Sequence, residues 1–350
     1  MNTEATGQAR LLDRLRDGPV ICAEGYLFEF ERRGYLQAGA FVPEIVLEHP
    51  ELVAGLHREF VHAGSDVVEA FTYYAHREKM RIIGKEDLIE PLNRDALTIA
   101  HTVARETGCL AAGNLCNTNA FYPDAATRDK VRRMFDEQVG WIVDAGMDFV
   151  VAETFSWGEE ALLALEAIKA AGLTAVVTLS IHRSPNVREG WTPQDACARL
   201  EQAGADVVGL NCIRGPATML PLMASIRDAV RCPVAALPVP YRTTDAEPSF
   251  QSLTDPRCDC LPGDRPFPTA LEPLSCNRYE IAEFGRKAYA MGINYLGVCC
   301  GAAPPMIRSL AEALGRDTPA SRYSPDMSRH AFLGSDTQLH AHNQKYASEL

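Results

Sequence analysis

The sequence predicts a single α/β domain, a (β/α)8 TIM barrel, and three observations carry that prediction. The chain has 350 residues, enough for one large α/β barrel or for two average domains. Eight short apolar runs alternate with segments of helical periodicity. Four helix-to-strand junctions repeat one pattern: Ala63-Gly64-Ser65-Asp66, Ala145-Gly146-Met147-Asp148, Ala203-Gly204-Ala205-Asp206 and Met291-Gly292-Ile293-Asn294. Glycine just past a helix supplies a left-handed C-cap, and the apolar run that follows suits a parallel strand buried on both faces. A doubly wound open sheet is the structural alternative, but no Gly-x-Gly-x-x-Gly follows the first run.

The elements follow in order. A first strand is expected at residues 20–23. A helix over 44–63 ends at the first Ala-Gly junction and feeds a strand at 66–71. The helix over 86–106 precedes a strand at 110–114, and the helix over 128–145 a strand at 149–153. Residues 159–171 read as the helix before a strand at 175–180, and 193–203 as the helix before 207–212. A helix over 218–230 leads to the seventh strand, 234–238. A long loop rich in Pro and Gly, roughly 241–273, comes next, and such loops in compact domains are often functional. A helix over 278–291, the eighth strand at 295–299 and a helix over 305–314 complete the alternation. The barrel is assigned to residues 1–315. A polar tail, 316–350, is left to pack on the barrel or on a neighbouring subunit, so a homo-oligomer is one of two expected outcomes.

Composition narrows the function. Apolar residues make up 47%, ample for a core. The net charge of -12 argues against nucleic acid or an anionic membrane as partner. No apolar run approaches the roughly 18 residues of a membrane span, and the first residues do not resemble a signal peptide. The 11 cysteines, an odd number, fit a reducing, cytoplasmic setting better than a disulfide framework.

In such barrels the active site lies at the C-terminal ends of the strands. Two of those ends carry cysteine: Gly209-Leu210-Asn211-Cys212 and Gly297-Val298-Cys299-Cys300-Gly301. Three thiolates are soft ligands that suit zinc, one ion per chain, and they leave a fourth position for a substrate. A substrate thiol bound there would be held as the nucleophilic thiolate. The competing reading is three small buried hydrophobes. Gly297 and Gly301 are expected to permit the backbone bend that brings adjacent cysteines to one ion. Other strand-end candidates are Glu24, Gly25, Tyr73, Tyr74, Asn114, Glu153 and Asn211, with His182 weaker. Glu153 and Glu24 could accept an ammonium group, and amides near Gly25 could take a carboxylate. Cys258 and Cys260 read as ordinary loop thiols, and His57 and His62 as surface or helix-packing residues.

The two cysteine motifs resemble those of the zinc-dependent homocysteine S-methyltransferase family, and within it the betaine–homocysteine S-methyltransferase branch. Similar strings run from about Leu11 to Arg308, among them Phe30-Glu31-Arg32-Arg33-Gly34-Tyr35, Glu48-His49-Pro50-Glu51, Leu56-His57-Arg58-Glu59-Phe60, Phe71-Thr72-Tyr73-Tyr74-Ala75 and Leu271-Glu272-Pro273. The resemblance implies a zinc held by Cys212, Cys299 and Cys300. It implies methyl transfer from an onium donor, glycine betaine foremost, to homocysteine, giving methionine. Glu153 then matches the acid that holds the homocysteine amino group, Tyr74 a tyrosine that can fill the free zinc position, and Gly25 a loop glycine of the substrate pocket.

The chain also departs from that pattern. Glu24-Gly25-Tyr26 stands where the family usually has Asp-Gly-Gly or Asp-Gly-Ala. Phe41 stands where the betaine enzymes have tryptophan, and Thr154 where they have tyrosine. Those aromatics cage a quaternary ammonium, each worth ~0.5–2 kcal/mol. Tyr26 and Tyr73 are the candidates to restore the cage. Otherwise the donor is dimethylsulfoniopropionate, S-methylmethionine or another betaine. The rival readings are a zinc hydrolase, which three thiolates disfavour by weakening the Lewis acid, and a binding protein without activity.

Overall fold

The computed structural model describes residues 7–350, with side chains from Leu11 onward. Eight parallel strands form a closed barrel in sequence order: β1 (Val20–Ala23), β2 (Val67–Glu69), β3 (Leu110–Cys116), β4 (Phe149–Phe155), β5 (Ala175–Leu179), β6 (Val207–Asn211), β7 (Val234–Leu237) and β8 (Tyr295–Val298). Closure is made by β1 on β8, in the register Val20↔Tyr295 to Ala23↔Val298. Every residue of the eight strands is buried, as strands with apolar faces on both sides require. Among the described residues no helix is long and apolar enough to cross a membrane.

The repeated junction has a structural reason. Gly64, Gly146, Gly204 and Gly292 all have positive φ, between 68° and 119°, which side chains rarely adopt. The acid that follows ties strands together at the floor of the barrel. The carboxylate of Asp66, ahead of β2, accepts the Ile21 N–H of β1. Asp148, ahead of β4, accepts the Ala111 N–H of β3, and Asp206, ahead of β6, that of Ala175 in β5. Ahead of β8 the residue is Asn294: its backbone carbonyl accepts the Val20 N–H, and its side-chain Nδ2 donates to Leu15 O.

Several elements differ from the sequence expectation. The helix expected over 44–63 is two, Ile45–Glu48 and Pro50–Ala63, because His49 before Pro50 cannot stay helical (φ −143°, ψ 61°). The second strand stops at Glu69, not at residue 71, so Tyr73 and Tyr74 belong to a loop. β6 and β8 each stop one residue before their cysteines. Helices at Gly7–Asp17, Tyr26–Arg32 and Arg77–Ile83 were not anticipated. The second reads Tyr-Leu-Phe-Glu-Phe-Glu-Arg, an aromatic-rich string whose composition favours strands. The long loop carries two isolated bridges, Tyr241↔Ser275 and Leu261↔Arg265, and ends in a short 3-10 helix, Glu272–Leu274. In the tail, Arg316 pairs with Asp66 and Ala320 is buried, whereas most residues beyond 323 are exposed.

Candidate active site

β6 delivers Cys212 and β8 delivers Cys299 and Cys300, with β7 between them. Both chain turns are anchored on the end of β7: Cys212 N–H donates to Leu237 O (2.8 Å) and Cys299 N–H to Pro238 O (2.9 Å). The three sulfurs lie within 4.8 Å of one another, and Cys299 Sγ is 3.9 Å from Cys300 Sγ. Four sulfurs bonded at about 2.3 Å around a tetrahedral ion would be spaced by roughly 3.8 Å. The donor set and its spacing therefore fit a metal ion. Hydrogen bonds from Cys299 and Cys300 drive the Cys212 thiol well below its usual pKa, while burial pushes Cys299 up. Three sulfurs drawn together at the mouth of a barrel are soft donors suited to one metal ion.

The glycines flanking the pair divide two tasks. Gly301 does bend the chain (φ 96°), and a Cβ there would meet Tyr241 Oη at 2.4 Å. Gly297 has no positive φ; it lets β8 approach β1, since its Cβ would fall 1.9 Å from Cys22 O. The bend expected of Gly297 is corrected to this close approach. Gly25 has a similar reason, because its Cβ would lie 2.5 Å from Ala302 O.

Two compartments flank the thiols. The first is small, about 20 Å³, and acidic. Glu24, Glu69 and Glu153 line it with Asn114, Tyr26, Tyr73, Cys299 and Cys300. Asn114 Nδ2 donates to Glu69 Oε1 (2.6 Å) and Glu153 Oε1 (2.7 Å). Asn211 Nδ2 faces Glu153 Oε2 (2.5 Å), Thr154 Oγ1 (2.9 Å) and Glu24 Oε2 (3.3 Å). Its own carbonyl is held by Thr154 N–H and Thr178 Oγ1. Glu24 Oε1 is buried with no partner. Burial, then the neighbouring carboxylates, push Glu24 and Glu69 well above the carboxylate range; burial pushes Glu153 up to about 7. Three acids buried together, one with an unpartnered oxygen, form a site whose charged state a bound cation would favour.

The second compartment is about 160 Å³. Phe28, Phe41, Phe250, Phe267, Tyr73 and Tyr74 give it aromatic walls, and Thr154, Cys212 and Cys300 reach it. Phe28 packs edge-on against Phe41, Phe250 and Phe267 at centroid distances of 5.9–6.4 Å. Tyr26 lies elsewhere: it lines the acidic compartment and packs on His57 (4.8 Å) and Phe60. Of the two tyrosines expected to complete the cage, only Tyr73 faces the aromatic cavity. His182, on the cavity wall, bonds Ser156 through Nε2 at 2.9 Å.

The structure thus brings together Cys212, Cys299, Cys300, Glu24, Glu153, Asn114 and Asn211 around one centre, with Tyr73, Tyr74, Phe41 and Thr154 on the cavity beside it. Residues that sequence reasoning missed are Glu69, Phe28, Phe250 and Phe267. Glu69 was hidden inside a strand drawn two residues too long. Phe250 and Phe267 lay in the long loop already marked as functional. Cys258 and Cys260 also belong to that loop, and among the described residues they join no three-ligand cluster.

Comparison with known proteins decides the family. The model of the homocysteine S-methyltransferase family matches residues 25–314. This chain belongs to the homocysteine S-methyltransferase family. Betaine–homocysteine S-methyltransferase 1 of Danio rerio is 35% identical over 334 residues, 94% of this chain and 81% of that protein. The S-methylmethionine–homocysteine S-methyltransferase of Rattus norvegicus is 35% identical over 337 residues, 94% of this chain and 87% of that protein. Among solved structures, the metallated homocysteine methyltransferase MmuM of Escherichia coli superposes with a TM-score of 0.67 at 17% identity, covering 87% of this chain and 99% of that one. That likeness supports the barrel fold of this family member.

Proposed function

We propose that this homocysteine S-methyltransferase moves a methyl group from an onium donor, glycine betaine foremost, to the thiol of L-homocysteine, giving L-methionine and the demethylated donor. The observation that carries the reading is the position of the three thiols. They stand between an acidic compartment and an aromatic cavity, and Cys300 and Tyr73 line both. Dimethylsulfoniopropionate and S-methylmethionine are the competing donors, because Phe41 and Thr154 replace aromatic groups of the betaine enzymes.

Cys212, Cys299 and Cys300 would hold one zinc ion, and zinc, when bound, supplies the Lewis acidity that keeps an incoming thiol as thiolate. The protein side chains do the remainder. Glu153 and Glu24 hold the homocysteine ammonium, with Glu69 adding a third carboxylate. Asn114 and Asn211 fix those acids, and Gly25 keeps the loop beside them closely packed. Tyr26 closes the acidic compartment. Tyr74, on the wall of the aromatic cavity beside Cys212 and Cys300, is the candidate resting ligand. Phe41, Tyr73, Thr154 and the newly found phenylalanines bind the donor and exclude water, which aligns its methyl with the sulfur. In the transfer, the bond from methyl to the donor's nitrogen or sulfur breaks as the S–CH3 bond forms. The electron pair stays on the donor, and its positive charge disappears.

Zinc-loaded protein given homocysteine and, separately, glycine betaine, dimethylsulfoniopropionate, S-methylmethionine and proline betaine should form methionine with at least one of them. Absence of methionine with all four, in protein shown to hold one zinc per chain, would overturn the reading.

A further inference from the structure

Among the described residues, the wall of the aromatic cavity carries one fixed positive charge. Arg188, on the loop after β5, lines it together with Cys212 and Cys300. No carboxylate lines the cavity among the described residues. His182 on the same wall is held toward its neutral form, by burial first and by Arg188 second. The Arg188 backbone N–H donates to Ser156 O (2.9 Å), which fastens this loop to the segment after β4. Its guanidinium stands over the Trp157 ring at 5.9 Å. Among the described residues it makes no ion pair and donates no side-chain hydrogen bond, although acids are near. Glu160 Oε1 is taken by Thr118 N–H and Oγ1, and Glu189 Oε1 by Glu159 N–H. Glu160 lines a further, polar pocket with Arg188; burial raises its carboxyl and the Arg188 charge draws it back down. Glu189 Oε2 is buried without a partner, yet neither acid bonds the guanidinium. A guanidinium with no direct ion pair, at the edge of a cavity whose wall carries no carboxylate among the described residues, is suited to a carboxylate.

We infer that Arg188 is the specificity residue for the methyl donor: it reads a carboxylate carried by the onium compound, and so selects donors with a carboxylate and no second cation. This rests on the methyl-transfer reading above. The aromatic walls take the onium end by cation–π attraction, which leaves the opposite charge of a zwitterion to be met elsewhere. Arg188 meets it. An onium compound that also carries an ammonium group, such as S-methylmethionine, would bring that group beside Arg188, with no acid on the cavity wall to receive it. A tetraalkylammonium without a carboxylate would leave Arg188 unpaired. The relatives include enzymes named for both betaine and S-methylmethionine, so their names do not make this choice.

The test uses the full-length, zinc-loaded protein, homocysteine, and four donors: glycine betaine, dimethylsulfoniopropionate, S-methylmethionine and tetramethylammonium. In the wild type, kcat/KM for the first two should exceed that for the last two by about tenfold or more, the value of a charge-assisted hydrogen bond. In Arg188→Gln the KM for glycine betaine should rise about tenfold, with a much smaller change in kcat, while the KM for tetramethylammonium moves less than about twofold. Arg188→Lys should recover part of the loss. Equal KM changes for glycine betaine and tetramethylammonium, or no change for either, would overturn the inference and leave methyl transfer standing. So would a wild type that prefers S-methylmethionine. If no donor yields methionine, the functional reading fails first. Calorimetry with glycine betaine then decides the role of Arg188: binding that Arg188→Gln abolishes supports it, and binding unaffected by the change, or absent from the wild type, refutes it.

Discussion

The two compartments beside the thiols differ in what they would offer a positive charge. The acidic one uses three formal carboxylates, nearly sealed from water and cross-linked by Asn114 and Asn211. The aromatic one presents ring faces, with no carboxylate on its wall among the described residues. In the proposed reaction the difference has a direct reason. The homocysteine ammonium keeps its charge from start to finish, so full ionic contacts hold it equally well throughout. The donor's charge vanishes as the methyl leaves. A carboxylate against it would stabilise the ground state more than the transition state and slow the step. Ring quadrupoles hold the cation more gently, at ~0.5–2 kcal/mol each, and oppose that loss less.

The largest effect should come from what lies between the compartments. Cys300→Ala is expected to release zinc, read by metal analysis, and to lower turnover by about 1000-fold or more, on the order of 4 kcal/mol. Retention of both would separate the compartments from any metal. On the acidic side, Glu153→Gln should raise the homocysteine KM by about 30-fold or more, the cost of removing one member of a buried charge pair, while the donor KM stays nearly constant. A shift in both constants would mean that the two sites are not independent.

The wall behind the acidic compartment offers a stability test. His57, buried against Tyr26, has both ring nitrogens unpartnered, and burial lowers its pKa to about 3. The unfolded chain takes up that proton near pH 6.5, so stability is full above that pH and falls as the pH drops toward 3. His57→Phe should recover about 2–3 kcal/mol at pH 4.5, relative to its effect at pH 7, in urea unfolding. An equal change at both pH values would show that His57 does not carry the acid sensitivity. On the aromatic side, Phe250→Leu keeps apolar volume but removes a ring, and should raise the donor KM about fivefold with the homocysteine KM unmoved. Phe41→Trp is the smallest change and runs the other way: a stronger ring face should lower the betaine KM by about twofold. A donor KM indifferent to both would remove the aromatic cavity from donor binding.

Much of this was legible in the residues. Eight apolar runs and the repeated Ala-Gly junction carried the barrel, because strand burial and the glycine C-cap are local properties of the chain. The three cysteines and Glu153 stood out because each closes a short apolar run in the sequence; the cysteines lie just past β6 and β8, whereas β4 continues through Glu153 to Phe155, not ending at residue 153 as expected. The cage was less legible. Phe28 belongs to a short helix inserted after β1, and Phe250 and Phe267 lie in the long loop, so no local pattern marks where their rings turn. Glu69 was obscured by one misplaced strand end. Backbone strain was also invisible. Phe41, Tyr74, Asn119, Thr154, Cys212 and Ile213 all have positive φ, between 55° and 63°, and all line the aromatic cavity. Such conformations cost about 1–3 kcal/mol each and persist only where the surrounding fold holds them.

Sequence by itself determined the barrel, the order of its strands and which thiols end them, since these follow from periodicity, capping and short-range chain chemistry. Tertiary structure alone decided that the thiols separate an acidic compartment from an aromatic one, that Tyr26 faces the former and Tyr73 both, and that Arg188 stands at the edge of the latter with no direct ion pair among the described residues. Those facts depend on how loops from distant strands fold over one rim, where contacts hundreds of residues apart set each side chain's direction.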